Sequence, residues 1–237
     1  MSAEHQPHPK NVTGPFYVVN GCCTACDVPM IEAPELFAYD DNHCFVKRQP
    51  ETADEFNHAF RAVHAAELEC IRYRGDDSNL LRRFAELGES HLCDVAPSAD
   101  ISPVFRNHVA FEGIPDQCVT LTARLLIEAF MEFLLRLDKA RESLDQRFRY
   151  RFKEIQGRGQ TASFGYSWFE DNFHPVEILR STEIGWLLRH SPENEVGCRG
   201  VSIQIDDWLK QDGRFQNIRW FTESGLKSSG VGNATPF

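Results

Sequence analysis

The chain has 237 residues, 42% of them hydrophobic and 25% charged, with 25 Lys+Arg against 35 Asp+Glu for a formal net charge of −10. This is the composition of a globular protein that can fill a core, in one large or two small domains. The negative balance argues against a broad nucleic-acid surface.

The segment Met1-Ser2-Ala3-Glu4-His5 has no basic stretch leading into an apolar one, so no signal peptide is read and a cytoplasmic address is the expectation. In that compartment thiols stay reduced, and eight cysteines do not imply four disulfides. Phe16-Tyr17-Val18-Val19 predicts a short strand from its aromatic and β-branched content. Asn20-Gly21 then turns the chain into Cys22-Cys23-Thr24-Ala25-Cys26. Asp40-Asp41-Asn42 predicts the turn of a hairpin, with Cys44-Phe45-Val46 returning.

Thr52 and Glu55 stand three apart, the pattern of a capping box, and predict a helix to about Leu68. Its buried stripe should hold Phe56, Phe60, Val63 and Leu68. Cys70 to Arg74 reads as a strand, and a second helix over about Asn79 to Leu87 should stop at Gly88. The segment Val95 to Pro103, with two prolines and two serines, reads as a linker.

Beyond it, irregular chain leads into a long amphipathic helix from about Val119 to Leu144, with Leu126, Phe130, Phe133, Leu134 and Leu137 on one face. Arg124, Glu128, Glu132 and Arg136 interrupt its apolar run, so it is not a membrane span. Strand-like segments follow at Phe148–Ile155, Ala162–Phe169, Val176–Leu179, Ile184–Leu188, Val201–Ile205 and Ile218–Phe221. The fold class is therefore α+β, with domains expected over 11–95 and 101–226, the second a helix plus antiparallel sheet.

The chemistry concentrates in the first domain. Two thiolates at C-x-x-C spacing can grip one soft metal centre from a single turn. Cys22, Cys23, Cys26, Cys44 and Cys70 form a candidate thiolate site for an iron–sulfur cluster or a structural zinc. Zinc would use Cys23, Cys26 and Cys70 with Cys44 or His43. Asp27 can offer an oxygen, although an aspartate in that place is usually a turn former. The isolated Cys93, Cys118 and Cys198 read as small buried residues. His174-Pro175 and His190-Ser191-Pro192 read as turns, Asp206-Asp207 as a helix start, and the four tryptophans as core. No nucleophile elbow, phosphate loop or dinucleotide fingerprint is present.

Between about Asn11 and Gly75 the chain resembles the single-cluster bacterial ferredoxins. Cys23 and Cys26 fit the first two cysteines of that family's C-x-x-C-x-x-C, Ala33-Pro34-Glu35-Leu36-Phe37 fits its A-P-E-x-F element, and Cys70 after the helix fits its last cysteine. The resemblance implies a ferredoxin-like α+β domain, an iron–sulfur cluster (4Fe–4S or 3Fe–4S) on Cys23, Cys26 and Cys70, one-electron transfer and a redox partner protein. The pattern departs at Pro29, which stands where the third sulfur belongs, and at Ile71, which stands in place of proline. Cys22 and Cys44 are the candidates to make up the missing ligand. The expected function is that of an electron carrier without bond-making chemistry of its own. The alternative is a cluster-free or structural-metal scaffold in a protein-binding or immunity-type module.

Overall fold

The structure, a computed structural model, describes residues 5–66, 68–97, 101, 104, 106–113, 119–140, 148–157, 160–169, 172–191 and 200–222. They fall into two compact units that divide after Val104. Cys118, Cys198 and the chain from 223 lie outside the described residues.

In the first unit β1 (Phe16–Val18) pairs antiparallel with β4 (Ile71–Tyr73), in the register Phe16↔Tyr73, Tyr17↔Arg72 and Val18↔Ile71. Both strands are buried along their length. Between them in sequence come α1 (Val28–Glu32), the hairpin β2 (Phe37–Asp40) and β3 (His43–Val46), and α2 (Ala53–Ala65). After β4, α3 (Ser78–Glu86) and a 3-10 turn at Ser90–Leu92 complete the unit.

The helix signals act as their chemistry requires. Thr52 Oγ1 accepts from the Glu55 N–H at 3.2 Å, and the Glu55 carboxylate returns to the Thr52 N–H at 3.2 Å, which closes the capping box. Asp77 caps α3 by accepting from Asn79 and Leu80 N–H, and Gly88 takes a left-handed φ of 76° beyond the helix end. Phe60 and Val63 of α2 are buried with Phe16, Tyr73 and Phe84 in one core, whereas Phe56 is half-buried against it. Leu68 is 44% exposed and leaves the expected stripe, because α2 ends at Ala65 before the helical phase reaches it.

The second unit is a six-stranded antiparallel sheet in the order β10-β5-β9-β8-β7-β6. Its strands are β5 (His108–Glu112), β6 (Phe148–Phe152), β7 (Thr161–Phe169), β8 (His174–Ser181), β9 (Gly185–His190) and β10 (Gln216–Phe221). The long helix α4 (Val119–Ala140) packs on β6, β7 and β8 through Leu126, Phe130, Phe133 and Leu134. β5 falls where irregular chain was expected, and its first four residues are buried. Val201–Ile205, expected as a strand, is instead the start of α5 (Val201–Gln211), which also takes in Asp206 and Asp207. His174-Pro175 opens β8 and does not form a turn.

A disulfide joins Cys22, just beyond β1, to Cys70, just before β4, across 48 residues. It corrects the expectation that all the cysteines are thiols. Closing a loop of this length removes conformational freedom from the unfolded chain worth about 4 kcal/mol in the chain-entropy account. Cys22→Ser, or reduction of the wild type, should lower the denaturant midpoint of the first unit. A far-UV unfolding curve unchanged by dithiol would show that the link adds nothing to stability.

Candidate functional site

The cysteines converge because four separate elements end beside one loop. The loop from Cys22 to Asp27 leaves β1 and folds back on itself through two non-glycine residues in the left-handed region, Ala25 at φ 54° and Asp27 at φ 62°. Such residues are strained by about 1–3 kcal/mol each and persist only where their surroundings hold them. Here the constraints are identifiable. The disulfide fixes Cys22 to the start of β4. The Ala25 N–H donates to Cys23 Sγ at 3.3 Å, and the Cys44 N–H on β3 donates to the same sulfur at 3.2 Å. Tyr39 on β2 donates its hydroxyl to Asp27 Oδ1 at 2.8 Å, and the Asp27 N–H donates back to the Tyr39 oxygen at 3.0 Å.

The hairpin register brings these last contacts together. Tyr39 and Cys44 are directly opposed across β2 and β3, so their side chains share a face. Cys44 therefore does reach the cysteine loop. Cys26 and Cys44 are both buried, and Cys23 is half-buried. Pro29 is buried in the first turn of α1, where its missing N–H is no loss. It offers no donor to the loop.

The sulfurs are not electrically equivalent. The Cys44 thiol hydrogen-bonds to Cys23 and lowers its pKa to about 6; burial opposes this, and the N–H groups of Cys44 and Ala25 assist it. Cys44 moves strongly upward, first through the same hydrogen bond, then through burial and the negative charge of Cys23 and Cys26. The pair thus holds one proton at neutral pH, with a thiolate at Cys23 and a thiol at Cys44. Burial and then Asp27 hold the Tyr39 hydroxyl protonated far above its ordinary range, which keeps it a donor to the carboxylate. Cys93 is a contrast. It is half-buried on a cleft of about 630 Å³, and burial pushes its thiol up to about 12, which favours the protonated form.

Of the cysteines expected as ligands, Cys23 and Cys26 stand in this loop outside any disulfide, and Cys44 joins them. Cys22 and Cys70 are bonded to one another instead. A disulfide sulfur carries no thiolate charge, so neither can ligate a metal until the bond is reduced. In keeping with this, no group of three or more His, Cys, Asp and Glu among the described residues is arranged to hold a metal ion. The feature that sequence reasoning undervalued is Asp27. It does shape the turn, but it is also 6% exposed and leaves Oδ2 buried with no hydrogen-bond partner. Only the aspartate next to a C-x-x-C pair signals it.

Trp168, Trp186 and Trp208 are core residues at 3%, 3% and 2% exposure, and Trp220 donates its indole N–H to Asp206. No helix among the described residues is long and apolar enough to cross a membrane.

The thiolate assignment predicts a pH profile. The rate of iodoacetamide alkylation at Cys23, read by peptide mass spectrometry, should rise with a midpoint near pH 6 and shift toward about 8.5 in Cys44→Ala. A wild-type midpoint near 8.5 would contradict the Cys23–Cys44 pair. Comparison of the chain with family models, curated proteins and solved structures finds no match, so the reading of this loop rests on its own atoms.

Proposed function

We propose that the first unit is a one-electron carrier that binds an iron–sulfur cluster in its cysteine loop when the Cys22–Cys70 disulfide is reduced. One observation carries the reading: cysteines from the β1 loop, from β3 and from the start of β4 gather about one strained turn, with backbone N–H groups aimed at Cys23. The chemistry of the donor set fits the group, since thiolates are soft ligands and N–H···S hydrogen bonds stabilise a sulfur that carries negative charge. The order β1, cysteine loop, α1, hairpin, α2, β4, with β1 beside β4, supports the resemblance to single-cluster ferredoxins.

Cys23 and Cys26 would hold the cluster with Cys70 once it is a thiol, and Cys44 or Cys22 would support them. When bound, the cluster stores one electron at a potential set by its charge, burial and hydrogen bonds. The chain's own part is to exclude water around Cys26 and Cys44, to point the Ala25 and Cys44 N–H groups at Cys23, and to keep the loop from relaxing. Loading needs two electrons and two protons to convert the disulfide into two thiols, supplied by a dithiol reductant. The acidic balance of the N-terminal part, 8 basic against 15 acidic residues from Lys10 to Val95, supports docking to a redox partner with a basic patch.

A second reading has its own observation. The disulfide and the lack of a metal-holding group among the described residues favour a cluster-free ferredoxin-like scaffold in a binding module. The burial of three tryptophans in the second unit removes them as surface anchors for such a module.

The two readings separate on purified full-length chain, reduced with dithiol without oxygen and incubated with ferrous iron and sulfide. The electron-carrier reading expects iron and sulfide retained in near-equal amounts with visible thiolate-to-iron absorbance. Cys23→Ser, Cys26→Ser and Cys70→Ser should each lose most of the iron, and Cys22→Ser should load without prior reduction. A colourless protein that takes up neither iron nor sulfide leaves the cluster-free scaffold.

A further inference from the structure

While the Cys22–Cys70 disulfide is closed, Cys23, Cys26 and Cys44 stay outside any disulfide. Two of these sulfurs meet. The Cys44 N–H donates to Cys23 Sγ at 3.2 Å, and the Cys44 thiol hydrogen-bonds to the same sulfur. The Ala25 N–H adds a further bond at 3.3 Å. Donors gathered on one sulfur favour its ionised form, and the thiolate is the form that attacks an oxidant.

The geometry gives the two sulfurs different parts. Cys23 is half-buried and open to a small molecule, whereas Cys44 on β3 is 3% exposed. An attacking thiol has to meet its oxidant, while a resolving thiol has to meet only the attacking sulfur. The hairpin holds Cys44 for that part. Cys44 is opposed to Tyr39 in the β2–β3 register, and Tyr39 is bonded in both directions to Asp27 of the loop. The loop and the hairpin are thus fastened together without help from the sulfurs. Burial also selects the oxidant. A hydroperoxide brings two oxygens to Cys23 in little space, whereas a protein disulfide has to press a second chain against the loop.

We propose that Cys23 and Cys44 are a peroxide-reducing pair, in which Cys23 attacks a hydroperoxide and Cys44 resolves the product. First, the Cys23 thiolate bonds to one peroxide oxygen, the O–O bond breaks and hydroxide leaves, to be protonated by solvent. Cys23 becomes a sulfenic acid, and the peroxide has gained the two electrons that the sulfur lost. Next, the Cys44 sulfur displaces the new hydroxyl, which leaves as water with the thiol proton, and a Cys23–Cys44 disulfide forms. A dithiol reductant restores both thiols with two electrons and two protons. This chemistry needs neither iron nor an open Cys22–Cys70 bond, so it goes beyond the cluster reading and does not rest on it.

The test is peptide mapping of the full-length, iron-free chain after equimolar hydrogen peroxide, digested without reduction. The Cys23 and Cys44 peptides should appear joined, with Cys22–Cys70 kept. Cys93, whose thiol is held protonated by burial, should be oxidised about tenfold more slowly. In Cys44→Ala no link can form, and Cys23 should persist as a sulfenic acid that dimedone traps. Cys26→Ser should form the link as the wild type does. Circular dichroism of the variants controls for folding, and the wild-type map does not depend on them. Oxidation of Cys23 no faster than that of Cys93 overturns the proposal. A Cys23–Cys26 link, or sulfinic acid at Cys23 with no link, overturns the resolving part of Cys44. Because iron is absent from the assay, these results leave iron uptake by the reduced loop to its own experiment.

Discussion

The shape of the loop from Cys22 to Asp27 is the constraint on which the first unit depends. Two L-residues sit in the left-handed region within three positions, a conformation the loop would leave if its surroundings let go. It is held at one end by the covalent link to Cys70, in the middle by N–H bonds to Cys23, and at the other end by the reciprocal pair of bonds between Asp27 and Tyr39. Each tether comes from a different element, so β4, β3 and β2 must all be in place before the loop takes its form. The strands and helices share one hydrophobic core, and the elements that carry the tethers determine the geometry of the loop.

Much of this frame was readable from residue patterns because its causes are local. The capping box of Thr52 and Glu55, the turn at Asp40 to Asn42 and the stop at Gly88 each act within a few residues. The long helix of the second unit was equally plain, since its apolar side recurs over many turns. Where reading failed, the deciding force was remote or the signal too short. Val201-Ser202-Ile203-Gln204-Ile205 alternates as a strand does, but it forms α5, because Val201, Ile205, Trp208 and Leu209 also fall on one helical face and are buried. β5 is a five-residue strand whose place between β9 and β10 is set by partners distant in sequence.

The same division holds at the site. Cys23 and Cys26 announce themselves by spacing, whereas the pairing of Cys22 with Cys70 spans 48 residues and has no local mark. The approach of Cys44 to Cys23 depends on how the hairpin packs on the loop, which no motif encodes. Asp27 was legible as a turn residue because that role is local. Its unpartnered oxygen emerges only with burial.

The loop combines a disulfide with a hydrogen-bonded cysteine pair, and both are held by the elements around it. Its central claim is that the reduced loop surrounds iron with sulfur. Iron K-edge X-ray absorption on the anaerobically reconstituted chain tests this most directly. The account predicts a first shell dominated by sulfur and a second shell of iron from a cluster. A first shell of oxygen and nitrogen alone, without iron–iron scattering, would contradict it.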